Sequence, residues 1–142
     1  MKTLVPFDGS PAAVRAVRLA VEQARSQPTH SIVVLNVQNI ATQELPEGAG
    51  IMPPGWITEQ EEQAGSEILT EPRALCESAG VPYEARVEIG GIAATIERVA
   101  REGGADHIIM GTRGLGGVRG LLLGSVATKV LKLVNVPVTL VK

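Results

Sequence analysis

Aromatic side chains are nearly absent from this sequence. Phe7, Trp56 and Tyr83 are its three aromatic residues, or 2% of the chain. Proteins that bind single-stranded nucleic acid stack the bases on aromatic side chains, and three scattered rings form no such platform. Thirteen basic against fifteen acidic residues give a net charge of −2, without the positive surface that nucleic-acid binding requires. We therefore expect no nucleic-acid partner and a core of aliphatic side chains.

Cysteine and long apolar runs are scarce as well. The single cysteine, Cys76, excludes an intramolecular disulfide and a multi-cysteine zinc site, and its helical context predicts a packed thiol. No run approaches the ~18 apolar residues of a membrane-spanning helix, and residues 1–3 lead into a strand-like segment without a signal-peptide layout. These features predict a cytoplasmic protein with no membrane partner. A length of 142 residues predicts one domain over residues 1–142.

Glycine, in contrast, is abundant and unevenly distributed. Eight of the sixteen glycines lie between Gly103 and Gly124. Glycine destabilises regular structure, so such crowding indicates a segment where backbone geometry or close approach requires it. The segment is therefore a candidate for a binding loop.

Two hydrophobic periods alternate along the chain. Apolar or alternating segments typical of strands lie at residues 4–7, 32–37, 83–89, 107–110 and 136–141. Apolar residues at helical spacing lie between them, at residues 13–24, 64–79, 92–100 and 126–134. This order predicts an α/β fold: a single-domain, open, five-stranded parallel sheet with helices on both faces.

Local signals mark the helix boundaries. Ser10 followed by Pro11 is typical of an N-cap and the first helical position. Residues 39–56 contain three prolines and three glycines and predict a long loop. Thr58 and Glu61 have the spacing of a capping box, which places the start of the next helix there.

Other residues carry more specific expectations. Pro72 predicts a kink or a split in the second helical region, and Gly80 is typical of a helix C-terminus. Alternating apolar and charged residues at 83–89 predict a strand near the margin of the sheet. We expect His30 to be exposed before the second strand, and His107 to have a structural role within the fourth.

Two loops are placed for ligand binding, because open parallel sheets bind ligands beyond the carboxyl ends of their strands. Residues 6–10 follow the first strand, and residues 111–125, with the sequence GTRGLGGVRGLLLGS, follow the fourth. Backbone N–H groups of a glycine-rich loop form a concave anion site, and the dipole of the helix after it favours phosphate. Arg113 and Arg119 would add guanidinium charge.

Residue spacing alone leaves two questions open. The glycine-rich loop also fits a flexible connector with Ser125 as an ordinary N-cap, since it contains neither a Gly-Lys-Ser/Thr sequence nor a G-x-G-x-x-G motif. Asp8 is either a ligand-binding carboxylate or the residue of an Asx turn before the first helix.

The spacing G-x2-G-x9-G-S at Gly111, Gly114, Gly124 and Ser125 resembles the nucleotide-binding signature of the universal stress protein family. Residues 4–10, 106–111 and 136–141 are similar to strands of that family, so the resemblance spans the chain. It implies a universal stress protein domain at residues 1–142. It also implies the strand order 3-2-1-4-5, with the strand at 83–89 at one edge.

The resemblance implies ATP as the ligand, with Mg²⁺ or Mn²⁺ held mainly by the phosphates, no metal-ligating side chain and no catalytic residue. Asp8 then meets the ribose or adenine, and Val37 packs near the adenine. Ala127 stands where the family often has Thr or Ser, so one hydroxyl contact to phosphate is missing. The nucleotide-binding residues that the resemblance implies are Pro6, Phe7, Asp8, Val37, Met110, Gly111, Arg113, Gly114, Gly124, Ser125, Val126 and Ala127.

The last strand adds a further expectation. An apolar edge strand needs a cover, and the family pairs this strand across a two-fold axis, which implies a homodimer through residues 136–141. The alternative is a terminus that frays. The resemblance thus implies a cytoplasmic stress-response protein that binds ATP as a nucleotide-dependent dimeric switch or binding module. Two alternatives are a weak ATPase or self-phosphorylating enzyme, with Ser125 or Thr128 as acceptor, and a nucleotide-free interaction protein.

Overall fold

The computed structural model describes residues 1–39, 55–114 and 123–142, in which strands and helices alternate. The elements in chain order are β1 (Lys2–Pro6), α1 (Pro11–Arg25), β2 (Ser31–Gln38), α2 (Trp56–Ile68), α3 (Thr70–Ala79), β3 (Tyr83–Ile89), α4 (Ile92–Glu102), β4 (His107–Gly111), α5 (Ser125–Leu133) and β5 (Val138–Val141).

The strands form one parallel sheet in the order β3-β2-β1-β4-β5, which confirms the predicted fold class and strand order. β1 is central: Thr3 pairs with Ile32 of β2 on one side and with His107 of β4 on the other. The chain leaves β1 toward one half of the sheet and later returns to the other half. The carboxyl ends of β1 and β4 therefore flank the point where strand order reverses, which is where ligands bind in open α/β sheets.

The sheet is covered on both faces by aliphatic cores. Successive strand residues point to opposite faces, so Val5 packs with α1 and α3 while Leu4 packs with α4 and α5. Burying a Val or Leu side chain fully is worth about 1.5–3 kcal/mol. The scarcity of aromatic residues is thus met by many small aliphatic contacts rather than by a few large rings.

Helix α1 begins as predicted. Ser10 has extended backbone angles, and its Oγ accepts a hydrogen bond from the Ala13 N–H at 3.2 Å. Pro11 occupies the first helical position, where the missing N–H has no intrahelical partner to lose. Gly9 has a φ of +87°, a left-handed conformation that favours glycine, and it turns the chain from β1 into the helix.

The second helical region is divided into α2 and α3, which confirms the split expected from Pro72. Pro72 lies in the first turn of α3, where a proline costs little. Gly80 ends α3 with a φ of +66°, as predicted. The capping box was a wrong prediction: α2 starts at Trp56 after Gly55, which provides no side-chain cap.

Glu61, the second residue of the predicted capping box, is instead buried within α2. Of the long loop predicted at 39–56, residues 40–54 lie outside the described residues, and Trp56 already belongs to α2. The interpretation of residues 1–142 as one domain stays a prediction.

The prediction for His30 was also wrong, since the side chain is only 1% exposed. Its Nε2 lies 2.7 Å from Thr3 Oγ1 of β1, so the ring is covered at the amino end of the sheet. Burial, and next the nearby N-terminal amine, lower the pKa of His30 below its ordinary value. His107 has a structural contact as expected: its Nε2 lies 2.7 Å from Thr139 Oγ1.

The two edge strands differ in character. β3 carries charged side chains, and Glu88 accepts hydrogen bonds from Arg86 and from Arg98 of α4. The hydrogen bond from Arg86 is the main reason why the pKa of Glu88 lies below its ordinary value. Charged side chains on an edge strand oppose pairing with another chain. β5 reads Val-Thr-Leu-Val and has no charged residue. It begins at Val138 rather than at residue 136 as predicted, and the Pro137 carbonyl accepts from the Ile108 N–H just before it.

Cys76 is fully buried on the inner side of α3 and is unpaired, as predicted. Burial, and secondarily the charge of Glu77, raise the pKa of its thiol to about 11. Separately, no helix within the described residues combines the length and apolarity needed to cross a membrane.

Candidate functional site

A cavity of about 360 Å³ opens at the carboxyl ends of β1 and β4. Ligand pockets typically occupy about 300–1,000 Å³. All twelve residues that the family resemblance implied as nucleotide-binding lie in its wall: Pro6, Phe7, Asp8, Val37, Met110, Gly111, Arg113, Gly114, Gly124, Ser125, Val126 and Ala127. The fold thus brings together four separate segments of the chain, while the contacts of these residues with a ligand stay a prediction.

The turn between β1 and α1 forms one side of the cavity. The Ser10 N–H donates to Asp8 Oδ1 at 2.9 Å, so Asp8 does form the Asx turn considered above. The two interpretations of Asp8 are compatible, because the same side chain also lines the cavity. The turn holds the carboxylate in a fixed place beside the β4–α5 loop.

Close packing explains why three positions of that loop are glycine. A Cβ on Gly114 would lie 2.3 Å from Asp8 Oδ2, and one on Gly111 would lie 2.9 Å from Ala12 Cβ. A Cβ on Gly124 would lie 3.2 Å from the Thr112 carbonyl oxygen. A loose connector needs no such contacts, so these described ends of the loop are packed against the β1–α1 turn, against the first turn of α1 and against each other.

The start of α5 is fixed to the end of β4 by backbone hydrogen bonds. The Thr112 N–H donates to Val141 O at 2.8 Å, and the Gly124 N–H donates to Thr112 O at 2.6 Å. The first intrahelical bond runs from the Thr128 N–H to Gly124 O. The N–H groups of residues 125–127 have no intrahelical carbonyl to bind, because the residues four positions earlier lie before the helix. All three residues line the cavity. The positive end of the α5 dipole therefore meets the cavity.

Sequence reasoning missed part of the wall. Of the additional lining residues, Ser10 and Thr112 belong to the two loops predicted for ligand binding, whereas Ala13, Leu35, Asn36, Ile92 and Ile96 lie outside them. Asn36 differs from the others in character, because it is a buried amide near the end of β2. A polar residue inside an otherwise apolar run was the available signal, since buried polar groups are retained where they have hydrogen-bond partners.

Arg113 provides positive charge at the rim of the site. Arg113 lines the cavity and is exposed, so its guanidinium can meet an anion at the rim. Arg119, the second predicted guanidinium, lies outside the described residues. Within residues 1–39, 55–114 and 123–142, no three His, Cys, Asp or Glu side chains are grouped as metal ligands would be.

Comparison with known proteins places this architecture. The family model of the universal stress proteins matches residues 1–142. A universal stress protein of Bacillus subtilis is 31% identical, with 99% of this chain and 98% of that protein aligned. One from Methanocaldococcus jannaschii is 33% identical, over 99% of this chain and 81% of that protein.

Solved structures of universal stress proteins are also similar to this chain. The universal stress protein of Lactobacillus plantarum superimposes with a TM-score of 0.84 at 19% identity, covering 100% of this chain and 97% of that one, which speaks to the fold. The universal stress protein of Archaeoglobus fulgidus, solved in complex with dAMP, gives a TM-score of 0.65 at 27% identity, covering 100% and 98%. The chain therefore belongs to the universal stress protein family.

Proposed function

We propose that this chain binds ATP in the cavity at the carboxyl ends of β1 and β4, and that it acts in the cytoplasm as a nucleotide-dependent dimeric switch or binding module in a stress response. The observation that supports this most is the meeting of a glycine-lined loop, the N-terminus of α5 and an apolar wall in one cavity. That combination suits a ligand with a flat apolar ring and an anionic group.

The apolar wall suits the base. Leu35, Val37 and Met110 come from three different strand positions beside Ile92 and Ile96 of α4. Aliphatic side chains can pack against the faces of a purine without aromatic stacking. The complex of the Archaeoglobus fulgidus relative with dAMP supports an adenine nucleotide as the ligand class.

The start of α5 suits the phosphates. N–H groups of Ser125, Val126 and Ala127 would donate to phosphate oxygens, and Arg113 would add charge at the rim. Mg²⁺ or Mn²⁺ would be bound by the phosphates rather than by a side-chain cluster, and it would neutralise phosphate charge. Asp8 would accept hydrogen bonds from the ribose or the adenine amino group, which suits its place opposite Gly114.

The dimer would form through the strand predicted at 136–141. β5 ends the sheet order, lacks charge and has half-buried side chains throughout. Leu131 and Leu133 of the adjacent α5 are exposed. The charged β3 edge offers no equivalent surface, so pairing of two β5 edges would be the cheaper way to cover apolar area. Analytical ultracentrifugation of the wild-type chain and of Leu140→Lys tests this part.

The decisive experiment for the ligand has two steps. The purified protein is denatured in acid and any released nucleotide is identified by mass; the refolded or nucleotide-free protein is then titrated calorimetrically with ATP and Mg²⁺. We expect ATP or another adenine nucleotide in the first step and saturable 1:1 binding in the second. Absence of both would refute the proposal and would favour the nucleotide-free interaction protein.

A separate assay distinguishes binding from catalysis. Thr128, one of two predicted phosphate acceptors, donates its hydroxyl to the Gly124 carbonyl at 2.9 Å within its own helix. That bond favours a structural role for the hydroxyl. Incubation with γ-labelled ATP should therefore leave the protein unlabelled and release phosphate no faster than buffer does; labelling of Ser125 would instead support the self-phosphorylating alternative.

A further inference from the structure

We infer that Asn36 is a positioning residue of the nucleotide site: it holds the Phe7 carbonyl and thereby fixes the turn that carries Asp8. Asn36 lies near the end of β2 and lines the cavity. The inference rests on the proposed function for its ligand, but the contact itself is independent of the ligand's identity.

The contact extends the pairing of β1 and β2 beyond the last strand residue. Phe7 follows Pro6, and its N–H donates to the Leu35 carbonyl at 2.8 Å. Its own carbonyl accepts from Asn36 Nδ2, also at 2.8 Å. Both backbone polar groups of Phe7 are therefore bound to β2, one by the main chain and one by a side chain.

The orientation of the Asn36 amide follows from its neighbours. The Phe7 carbonyl can only accept, so the NH₂ group must face it and Oδ1 must face the other way. Gln38 Nε2 donates to that oxygen at 2.7 Å. Asn36 is 3% exposed, and a buried amide with both ends engaged has little freedom to turn.

Helix α2 closes the remaining side. A Cβ on Gly65 would lie 2.9 Å from Asn36 Oδ1 and 2.5 Å from Val87 Cγ1. The backbone of α2 therefore lies so close to β2 and β3 that a residue with a side chain does not fit at position 65. Asn36 is thus enclosed by β1, by Gln38 and by α2. Its amide is committed to protein partners, and its influence on a ligand passes through Phe7.

The consequence reaches Asp8 directly. Asp8 follows Phe7 in the chain, and its Oδ1 is already fixed by the Ser10 N–H. Removal of the Asn36 donor leaves the buried Phe7 carbonyl without this partner, and the backbone then shifts to find another. A shift there moves the Asp8 carboxylate relative to Gly114 and widens the range of positions it samples.

The test combines affinity with amide hydrogen exchange in the nucleotide-free protein. Asn36→Asp keeps the volume but turns an acceptor toward the Phe7 carbonyl, and Asn36→Ala removes the side chain. We expect ATP affinity to fall about tenfold in each, equivalent to ~1.4 kcal/mol. Exchange at Asp8, Gly9 and Ser10 should accelerate, while that of β4 stays unchanged. Gln38→Ala removes only the donor to Asn36 Oδ1 and should cause a smaller loss of ATP affinity. This variant replaces the other two if they fold poorly.

A double-mutant cycle separates positioning from general stability. If Asn36 acts through Asp8, then Asn36→Ala costs no further affinity in an Asp8→Ala background. The matched control is Thr3→Val, which removes an equally buried polar group at the other end of β1. It should lower the free energy of unfolding and leave ATP affinity within twofold.

Four results are informative. Coupled losses with faster exchange of the turn support the inference. Additive losses, or unchanged affinity in Asn36 variants of a chain that binds ATP, overturn it. A wild-type chain that binds no adenine nucleotide refutes the proposed function instead. In that case the exchange data still decide the positioning role, since unchanged exchange of Asp8, Gly9 and Ser10 overturns it without any ligand.

Discussion

The two ends of the parallel sheet differ in how their polar groups are used. At the amino end, side-chain atoms are paired within the protein: His30 Nε2 with Thr3 Oγ1, His107 Nε2 with Thr139 Oγ1, and Asp106 Oδ2 with the Lys2 N–H at 2.8 Å. At the carboxyl end, glycines, helix N–H groups and Asp8 surround a cavity.

This difference between the two ends implies that they contribute to different properties, stability at the amino end and binding at the carboxyl end. Polar groups that are satisfied inside the protein contribute to the free energy of unfolding, and their loss leaves buried partners unpaired. Groups that face a cavity contribute to affinity when a ligand arrives. Substitutions of these amino-end groups should therefore affect stability with little effect on affinity, and substitutions of residues that face the cavity should chiefly affect affinity.

The largest effect is expected from Gly114→Val. Its Cβ would overlap Asp8 Oδ2 at 2.3 Å, so the turn or the loop must move and the cavity is distorted. We expect ATP affinity to fall about a hundredfold or more, or ~2.7 kcal/mol, with an unchanged far-UV circular dichroism spectrum. Gly91→Ala is the matched control, because no atom lies within 4 Å of a Cβ there. Calorimetric affinities equal for both variants would contradict the prediction.

The reciprocal substitution is His30→Ala at the amino end. It removes a buried ring and leaves Thr3 Oγ1 without its partner at 2.7 Å. We expect the free energy of unfolding to fall by about 2 kcal/mol, within the range for a buried group that loses its hydrogen-bond partner. Urea denaturation measures this loss, and ATP titration should show an affinity within twofold of the wild type. A loss of affinity larger than the loss of stability would show that the two ends are not independent.

A smaller effect is expected from pH, again confined to the amino end. Burial first, and then the N-terminal amine, lower the pKa of His30; burial first, and then His30, lower that of His107. In the folded protein both pKa values lie below 6.5, the ordinary pKa of histidine. As the pH falls below 6.5, the unfolded chain therefore binds protons that the folded chain does not. The contribution to stability is complete above pH 6.5 and is lost as the pH falls through the folded values.

Urea titrations of the nucleotide-free protein between about pH 8 and pH 5 measure this slope. The His30→Gln variant should flatten it, because one of the two titrating rings is gone. A slope that is unchanged in this variant would assign the effect to other groups.

The smallest expected effect is a gain of affinity in Ala127→Thr. Ala127 is buried in the cavity wall at the third position of α5, where a hydroxyl would reach toward the phosphates. We expect ATP to bind about three- to tenfold more tightly, which corresponds to the ~0.5–1.5 kcal/mol that a typical hydrogen bond contributes. Ala127→Val adds the same volume without the hydroxyl and serves as control. Equal gains for adenosine and ATP would point to packing rather than to phosphate recognition.

Patterns local to the chain predicted most of the fold. The alternating periods located the strands and helices, and Ser10, Pro72 and Gly80 marked boundaries correctly because each acts through its own backbone conformation. The strand order came from the family resemblance, since periodicity does not specify which strands are neighbours.

The errors arose where tertiary contacts override local signals. His30 is buried by the N-terminal segment, which the sequence around residue 30 does not reveal. Glu61 matched a capping box but is buried within α2, where packing decides its place. Asn36 was absorbed into an apolar strand pattern, and its role depends on Phe7, 29 residues away in sequence.

The buried thiol of Cys76 is a built-in probe for the opening of the core. With no exposed surface and a pKa of about 11, the thiol is almost wholly neutral at pH 7 and out of reach of alkylating reagents. Its rate of alkylation therefore reports how often the core around α3 opens enough to expose the thiol. Because it is the chain's only cysteine, no engineered label is needed to follow that event in the presence and absence of nucleotide.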